Sequence, residues 1–145
     1  MTIFMVLKYD DRVICEDSLR NTKIKDYVDG FSLDIRINYY RGLQVSCISE
    51  ISLVVDGEKI SDENICFAIN GKSFSLSELP YLFAEFWNIH DRATLYVEKE
   101  GGLEEGEHDI QLTLHFRSPY MQIAPRTYAT IDSSASKTVC LQPGQ

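Results

Sequence analysis

Residues 31–39 constrain this chain more than any other stretch. Phe31, Leu33, Ile35, Ile37 and Tyr39 alternate without a fault with Ser32, Asp34, Arg36 and Asn38. Successive strand side chains face opposite sides of a sheet, so the pattern specifies a half-buried β-strand with one face on a core. The alternation runs into Tyr39-Tyr40-Arg41-Gly42-Leu43, where two amphipathic rings, a fixed charge and a flexible residue sit at the expected strand end. Aromatic rings and arginine offer large contact area at modest entropic cost and are enriched at binding surfaces.

The same period recurs along the chain. Ile51, Leu53 and Val55 alternate before Asp56-Gly57, and Ile65, Phe67 and Ile69 alternate before Asn70-Gly71, a strong hairpin signal. Residues 93–98 and then Ile110, Leu112, Leu114 and Phe116 supply two further strands, joined through the glycine-rich residues 101–106. Residues 3–9 could add another, and Asp29-Gly30 reads as the turn that feeds the central strand. One short helix is expected near residues 76–86. Ser75 and Glu78 make a capping box for it, and Pro80 limits its length. Several strands separated by turn signals specify an all-β, antiparallel β-sandwich, immunoglobulin-like or jelly-roll-like. Residues 1–121 are assigned to a single sandwich domain. Residues 122–145 lose the period and are expected to form an irregular C-terminal extension, packed on a partner subunit.

Charge and cysteine usage narrow the function classes. A net charge of −8 with no cluster of Lys and Arg disfavours a phosphate-backbone partner, so no nucleic acid is expected. No apolar run approaches the ~20 residues that span a bilayer, so no membrane is expected. The apolar start lacks a basic region and a small-residue cleavage site, and Cys15, Cys47, Cys66 and Cys140 are scattered with no C-x-x-C pair. Reduced cysteines and a cytoplasmic location are the expectation.

Catalytic groups are hard to find. His90, His108 and His115 are not at metal-ligand spacing, and surface or hydrogen-bonded strand histidines are the better reading. Glu104, Glu105 and Glu107 lie in a glycine-rich connection where acids are usually solvated, rather than forming a glycosidase pair. Asp34 and Arg36 share a strand face and could pair with each other or with a neighbour, a structural ion pair being the better reading. There is no G-x-S-x-G elbow and no phosphate-binding glycine loop. Catalytic residues and metal ligands are therefore assigned to none of this chain's positions.

Two stretches stand above this background as substrate-pocket or subunit-interface candidates. One is Tyr39, Tyr40, Arg41, Gly42 and Leu43. The other is Arg117, Ser118, Pro119, Tyr120 and Met121, after the last expected strand. Each places Arg and Tyr at a strand end on a rigid scaffold, where binding residues commonly sit. An aromatic corner with Arg stacked on Tyr is an equally good account of either one alone.

The order of motifs resembles a known family. Glu16-Asp17-Ser18-Leu19-Arg20-Asn21 and Asp34-Ile35-Arg36-Ile37-Asn38-Tyr39-Tyr40-Arg41-Gly42-Leu43 come first. Val55-Asp56-Gly57-Glu58, Phe67-Ala68-Ile69-Asn70-Gly71-Lys72 and residues 101–108 follow, and Arg117-Ser118-Pro119-Tyr120-Met121 closes the set. Together they resemble the small (beta) subunit of bacterial C-glycoside deglycosidases over roughly residues 14–121. The resemblance implies a β-sandwich that packs on a TIM-barrel alpha subunit, both being required for activity, with alpha-beta pairs in a higher heteromer. It implies that the alpha subunit carries a divalent metal, typically Mn2+, together with the catalytic base, and that this chain binds no cofactor. The implied substrate is a 3-oxo-C-glycoside such as an oxidised flavonoid C-glucoside. Its C2 proton is removed and its C1–aryl carbon bond breaks by elimination, which makes the complex a carbon–carbon lyase. The alternatives are a stand-alone carbohydrate- or aryl-glycoside-binding β-sandwich and a purely architectural subunit.

Overall fold

The computed structural model describes residues 4–6, 12–39, 41–125 and 127–141. Its strands in chain order are β1 (Phe4–Val6), β2 (Arg20–Ile24), β3 (Tyr27–Ile35), β4 (Leu43–Gln44), β5 (Ile48–Val55), β6 (Glu58–Lys59) and β7 (Ile65–Ile69). They continue as β8 (Lys72–Ser75), β9 (Phe86–Trp87), β10 (Ala93–Glu98), β11 (Gly106–Ala124), β12 (Thr127–Asp132) and β13 (Ala135–Leu141). One sheet runs β1-β12-β11-β5-β6, with β13 also paired to β11. The second runs β2-β3-β10-β7-β8, and β4 with β9 makes a two-stranded ribbon. All pairings are antiparallel except β1 with β12. The all-β sandwich is what the alternation specifies.

The period-2 pattern explains the core. Phe31, Leu33 and Ile35 of β3, Ala93, Leu95 and Val97 of β10, and Ile65, Phe67 and Ile69 of β7 present one buried face. Ile51, Leu53 and Val55 of β5 join Ile110, Leu112, Leu114 and Phe116 of β11 in the same hydrophobic cluster. Asn70 and Gly71 both take positive φ, 54° and 77°, between β7 and β8. That backbone twist matches the flanking strands, which is why this residue pair is favoured there.

Four expectations need correction. The turn before the central strand lies at Lys25 and Asp26, with Lys25 at φ 58°, and Gly30 lies inside β3 opposite Glu98. The helix expected near residues 76–86 is a 3-10 helix over Leu76–Tyr81 only. Its Glu78 carboxylate accepts the Ser75 N–H at 3.1 Å. Pro80 has no N–H to extend an α-helical ladder, and Phe86–Trp87 instead becomes a strand. β11 does not stop at Arg117 but continues to Ala124. Pro119 falls where the β11–β12 register shifts between Arg117 and Gln122, the kind of irregularity that tolerates a residue unable to donate to the ladder.

The last correction concerns the tail. Residues 127–141 are not irregular, because β12 and β13 both pair with β11, and the assigned boundary at 121 falls inside β11. In β13, Ala135, Val139 and Leu141 are buried while Ser136, Thr138 and Cys140 are not. The alternation is present but hidden by small and hydroxylated side chains, which carry little hydrophobic contrast.

Candidate functional site

Ladder pairing of β3 ends at Ile35, yet the side chains keep alternating to Tyr39. Ile37 is buried and Tyr39 half-buried. The Tyr39 ring meets Phe116 edge-on, with centroids 5.1 Å apart and planes at 69°. Its hydroxyl lies 2.6 Å from Oγ of Ser118, a residue with no solvent exposure. An edge-to-face ring pair with a hydrogen-bonded tip is a favourable arrangement for a buried tyrosine. One residue back, the Asn38 N–H donates to Ser133 Oγ at 3.1 Å. The structure therefore joins the two stretches that are 79 positions apart in sequence. Neither stretch is a free strand end, because both are held to one corner of the sandwich.

Gly42 and Leu43 continue this corner. Leu43 is fully buried and pairs with Trp87 across the β4–β9 ribbon. A Cβ on Gly42 would lie 2.6 Å from both the Phe86 ring and the Trp87 carbonyl, so only glycine fits without displacement. Trp87 is core, packing edge-on against Phe67 at 5.5 Å and donating its indole N–H to the Asp91 carbonyl at 3.0 Å. Arg41 is exposed. Arg117 is also exposed, and its guanidinium acts to lower the pKa of the buried Cys47 thiol. Burial dominates at that thiol and pushes its pKa up, so Cys47 is not an activated nucleophile. Tyr40 lies outside the described residues. Pro119, Tyr120 and Met121 are placed as backbone in β11, and their side chains lie outside the description.

Sequence reasoning missed the surface beside this corner. Tyr81 is 76% exposed, Phe83 68% and Phe86 38%. A helix over residues 76–86 would have turned Phe83 and Phe86 inward. In the structure all three rings are exposed, and the Phe86 ring lies against Gly42 of the candidate stretch. Large exposed aromatics beside a candidate stretch are a feature of interaction surfaces.

The polar groups on the strands are mostly committed to structure. Asp34 accepts from Thr94 at 2.7 Å and pairs with Arg92 rather than with Arg36. His108 places Nδ1 2.6 Å from Asp56 and Nε2 2.6 Å from the Glu104 carbonyl. Burial lowers its pKa, but the two acceptors outweigh that and raise it overall. His115 lies between Glu50 at 3.1 Å and Asp132 at 3.4 Å. Among the described residues, no group of three or more His, Cys, Asp or Glu side chains is arranged to hold a metal ion. Among the described residues, Cys15, Cys47, Cys66 and Cys140 form no disulfide. Among the described residues, no helix is long and apolar enough to cross a membrane.

Comparison with known proteins agrees with the motif order. A relative in Eubacterium cellulosolvens, a C-glycoside deglycosidase beta subunit, is 34% identical over 113 residues, covering 77% of each chain. One of the same description in Microbacterium trichothecenolyticum is 30% identical over 134 residues, covering 89% of this chain and 94% of its own. A 3'-dehydrocarminate deglycosidase beta subunit from Microbacterium sp is 29% identical over 129 residues, covering 89% and 93%. The beta-subunit description implies a partner subunit in a complex. Residues 9–120 match the family described as C-glycoside deglycosidase beta subunit, and the chain belongs to that family.

Proposed function

We propose that this chain is the beta subunit of a heteromeric C-glycoside deglycosidase acting on 3-oxo-C-glycosides, and that it completes an active site whose catalytic groups lie on the alpha subunit. The observation that carries this reading is the tie of Tyr39, in the first stretch, to Ser118 and Phe116 of β11. Three residues further on, Gly42 lies against the exposed Phe86 ring, and Tyr81 and Phe83 are also exposed. A rigid aromatic corner flanked by exposed aromatics is suited to docking against a second protein and to walling off one side of its cleft.

In the proposed reaction the C3 ketone acidifies the C2 proton of the sugar. A base on the TIM-barrel alpha subunit removes that proton. The electron pair then forms the C1–C2 double bond as the C1–aryl bond breaks, and the departing aryl carbon takes up a proton. A divalent metal, Mn2+ in this reading, supplies stabilisation of developing negative charge at the alpha subunit. This chain's part is positional. Tyr39 is pinned by Phe116 and Ser118, so the segment leading to Arg41 is presented from a fixed base. Pre-organisation of this kind lowers the ordering cost of forming the pocket.

The test is reconstitution. The purified chain is incubated with Mn2+ and a 3-oxo-C-glucoside, alone and then with a family alpha subunit, and aglycone release is followed. Release only with both chains is the expected result. Release by this chain alone overturns the assignment of the chemistry to the partner. Binding of the glycoside by the isolated chain, with no release alongside a partner proven active in its own pair, favours the stand-alone binding module. Phe83→Asp is expected to weaken assembly at least tenfold while leaving the fold intact, because Phe83 is largely exposed.

A further inference from the structure

The first half of β5 has a neighbour on one side only. β6 pairs with Val54 and Val55, and the Ile60 N–H still donates to the Leu53 carbonyl at 2.9 Å. The chain then leaves the sheet through the 3-10 turn Asp62–Asn64 and crosses to β7 of the other sheet. Main-chain groups alternate between the two neighbours of an antiparallel strand, so Ile51 faces the same side as Leu53. The opposite side agrees. The Asp56 N–H donates to the Asp109 carbonyl at 2.8 Å, which makes Val54 and Ser52 the residues bonded to β11. The Ile51 N–H and C=O therefore face outward, with no strand opposite them among the described residues.

That open edge forms one wall of a groove of about 580 Å3. Leu76, Leu79 and Pro80 of the 3-10 helix supply its apolar side, and the exposed acids Glu50, Asp62 and Glu63 also line it. Among the described residues, no Lys, Arg or His does. Glu50 lies 3.1 Å from His115, whereas Asp62 and Glu63 form no ion pair among the described residues. An unpaired strand edge beside an apolar wall is what recognition by strand addition uses, main-chain bonds giving affinity and alternate side chains giving selectivity. A second copy of this chain is a poor occupant. Pairing edge to edge would set Glu50, Asp62 and Glu63 near their own equivalents, and like charges across a strand pair are unfavourable.

We propose that this groove binds a short extended segment of the partner subunit that carries Lys or Arg. The segment's backbone exchanges hydrogen bonds with Ile51, and an apolar side chain lies against Leu76 and Leu79. Its cation meets Asp62 and Glu63, and the apolar stem of a Lys or Arg suits the passage from an apolar wall to an acidic rim. The source of the segment rests on the proposed heteromeric function. The 3-10 helix that walls the groove ends at Tyr81, whose exposed ring the proposed function already gives to the same partner, so the groove extends that surface.

The test is amide hydrogen exchange of the full chain, alone and mixed with a family alpha subunit. Exchange at the Ile51 amide is expected to slow by about tenfold or more in the complex, while the Ser52 amide, already bonded to β11, changes little. The double variant Asp62→Lys with Glu63→Lys should weaken assembly by about tenfold, and added NaCl should narrow the difference. Glu105→Lys, at an exposed acid outside the groove, should not weaken it. Unchanged Ile51 exchange in a complex that forms overturns the proposal, as does equal weakening by Glu105→Lys. So does protection of Ile51 in the chain alone that grows with its concentration, which makes a second copy the occupant. Failure of the two chains to assemble overturns the proposal together with the proposed function. Aglycone release separates the two: release with Ile51 unprotected sinks the groove alone, and protection of Ile51 without release sinks the proposed activity alone.

Discussion

Two polar clusters, one around His108 at the start of β11 and one on the segment that follows β3, differ in whether their donors find acceptors. Around His108, each ring nitrogen faces an acceptor, and the second Asp56 oxygen accepts the Asp109 N–H at 2.8 Å. Around Arg36 and Asn38, beside the Tyr39–Ser118 corner, two shielded donors have no acceptor among the described residues. A satisfied buried network rigidifies a fold, whereas an unsatisfied one raises the energy of the free protein. The His108 cluster clamps the connection that precedes β11 to the β5–β6 turn.

The largest expected effect tests whether the two clusters are separate. Phe116→Ala removes the ring under Tyr39 and should cost about 3–5 kcal/mol in urea unfolding. The pH dependence contributed by His108 should survive in that variant. If it disappears, the clusters are coupled and the contrast between them fails.

Next in size is Asp56→Asn. Asp56 sits at φ 51°, which Asn tolerates, so the substitution changes charge without adding backbone strain. Because Asp56 is about half exposed, a loss of only about 1–2 kcal/mol is expected, read from the midpoint of urea denaturation.

The pH profile of the parent chain should report the same pair. The His108 pKa is raised when folded, so its contribution is complete below the ordinary histidine value and is lost as pH rises through the raised value. The Asp56 pKa is lowered, chiefly by its hydrogen bond with His108. Its contribution is present above the ordinary carboxylate value and is lost as pH falls through the lowered one. Melting temperature should therefore decline as pH rises above the ordinary histidine value in the parent and decline less in Asp56→Asn. Equal slopes would mean that the clamp contributes nothing.

The smallest effect sharpens the other side of the comparison. Tyr39→Phe keeps the ring on Phe116 but deletes the hydroxyl that reaches Ser118, at a cost of about 1 kcal/mol. In the reconstituted complex the same variant should lower the rate of aglycone release by more than its stability loss explains. A proportionate change would make the corner purely structural.

The amino-acid sequence by itself determined the sandwich, because a period-2 pattern such as Phe31 to Ile37 has one way to bury its apolar face. It also placed the Asn70-Gly71 turn, since that pair accepts positive φ at low cost. It marked Tyr39, Gly42, Leu43 and Ser118 as residues apart from ordinary strand chemistry. It did not reveal β12 and β13, whose Ser- and Thr-rich alternation lacks hydrophobic contrast until β11 pairs with both. Nor did it show that the first and second Arg/Tyr stretches share one corner. Tyr39 and Ser118 meet only because β3 and β11 lie in different sheets that pack together. The same packing decided that Asp34 would pair with Arg92, since strand register, and not proximity in sequence, sets which charges come within reach.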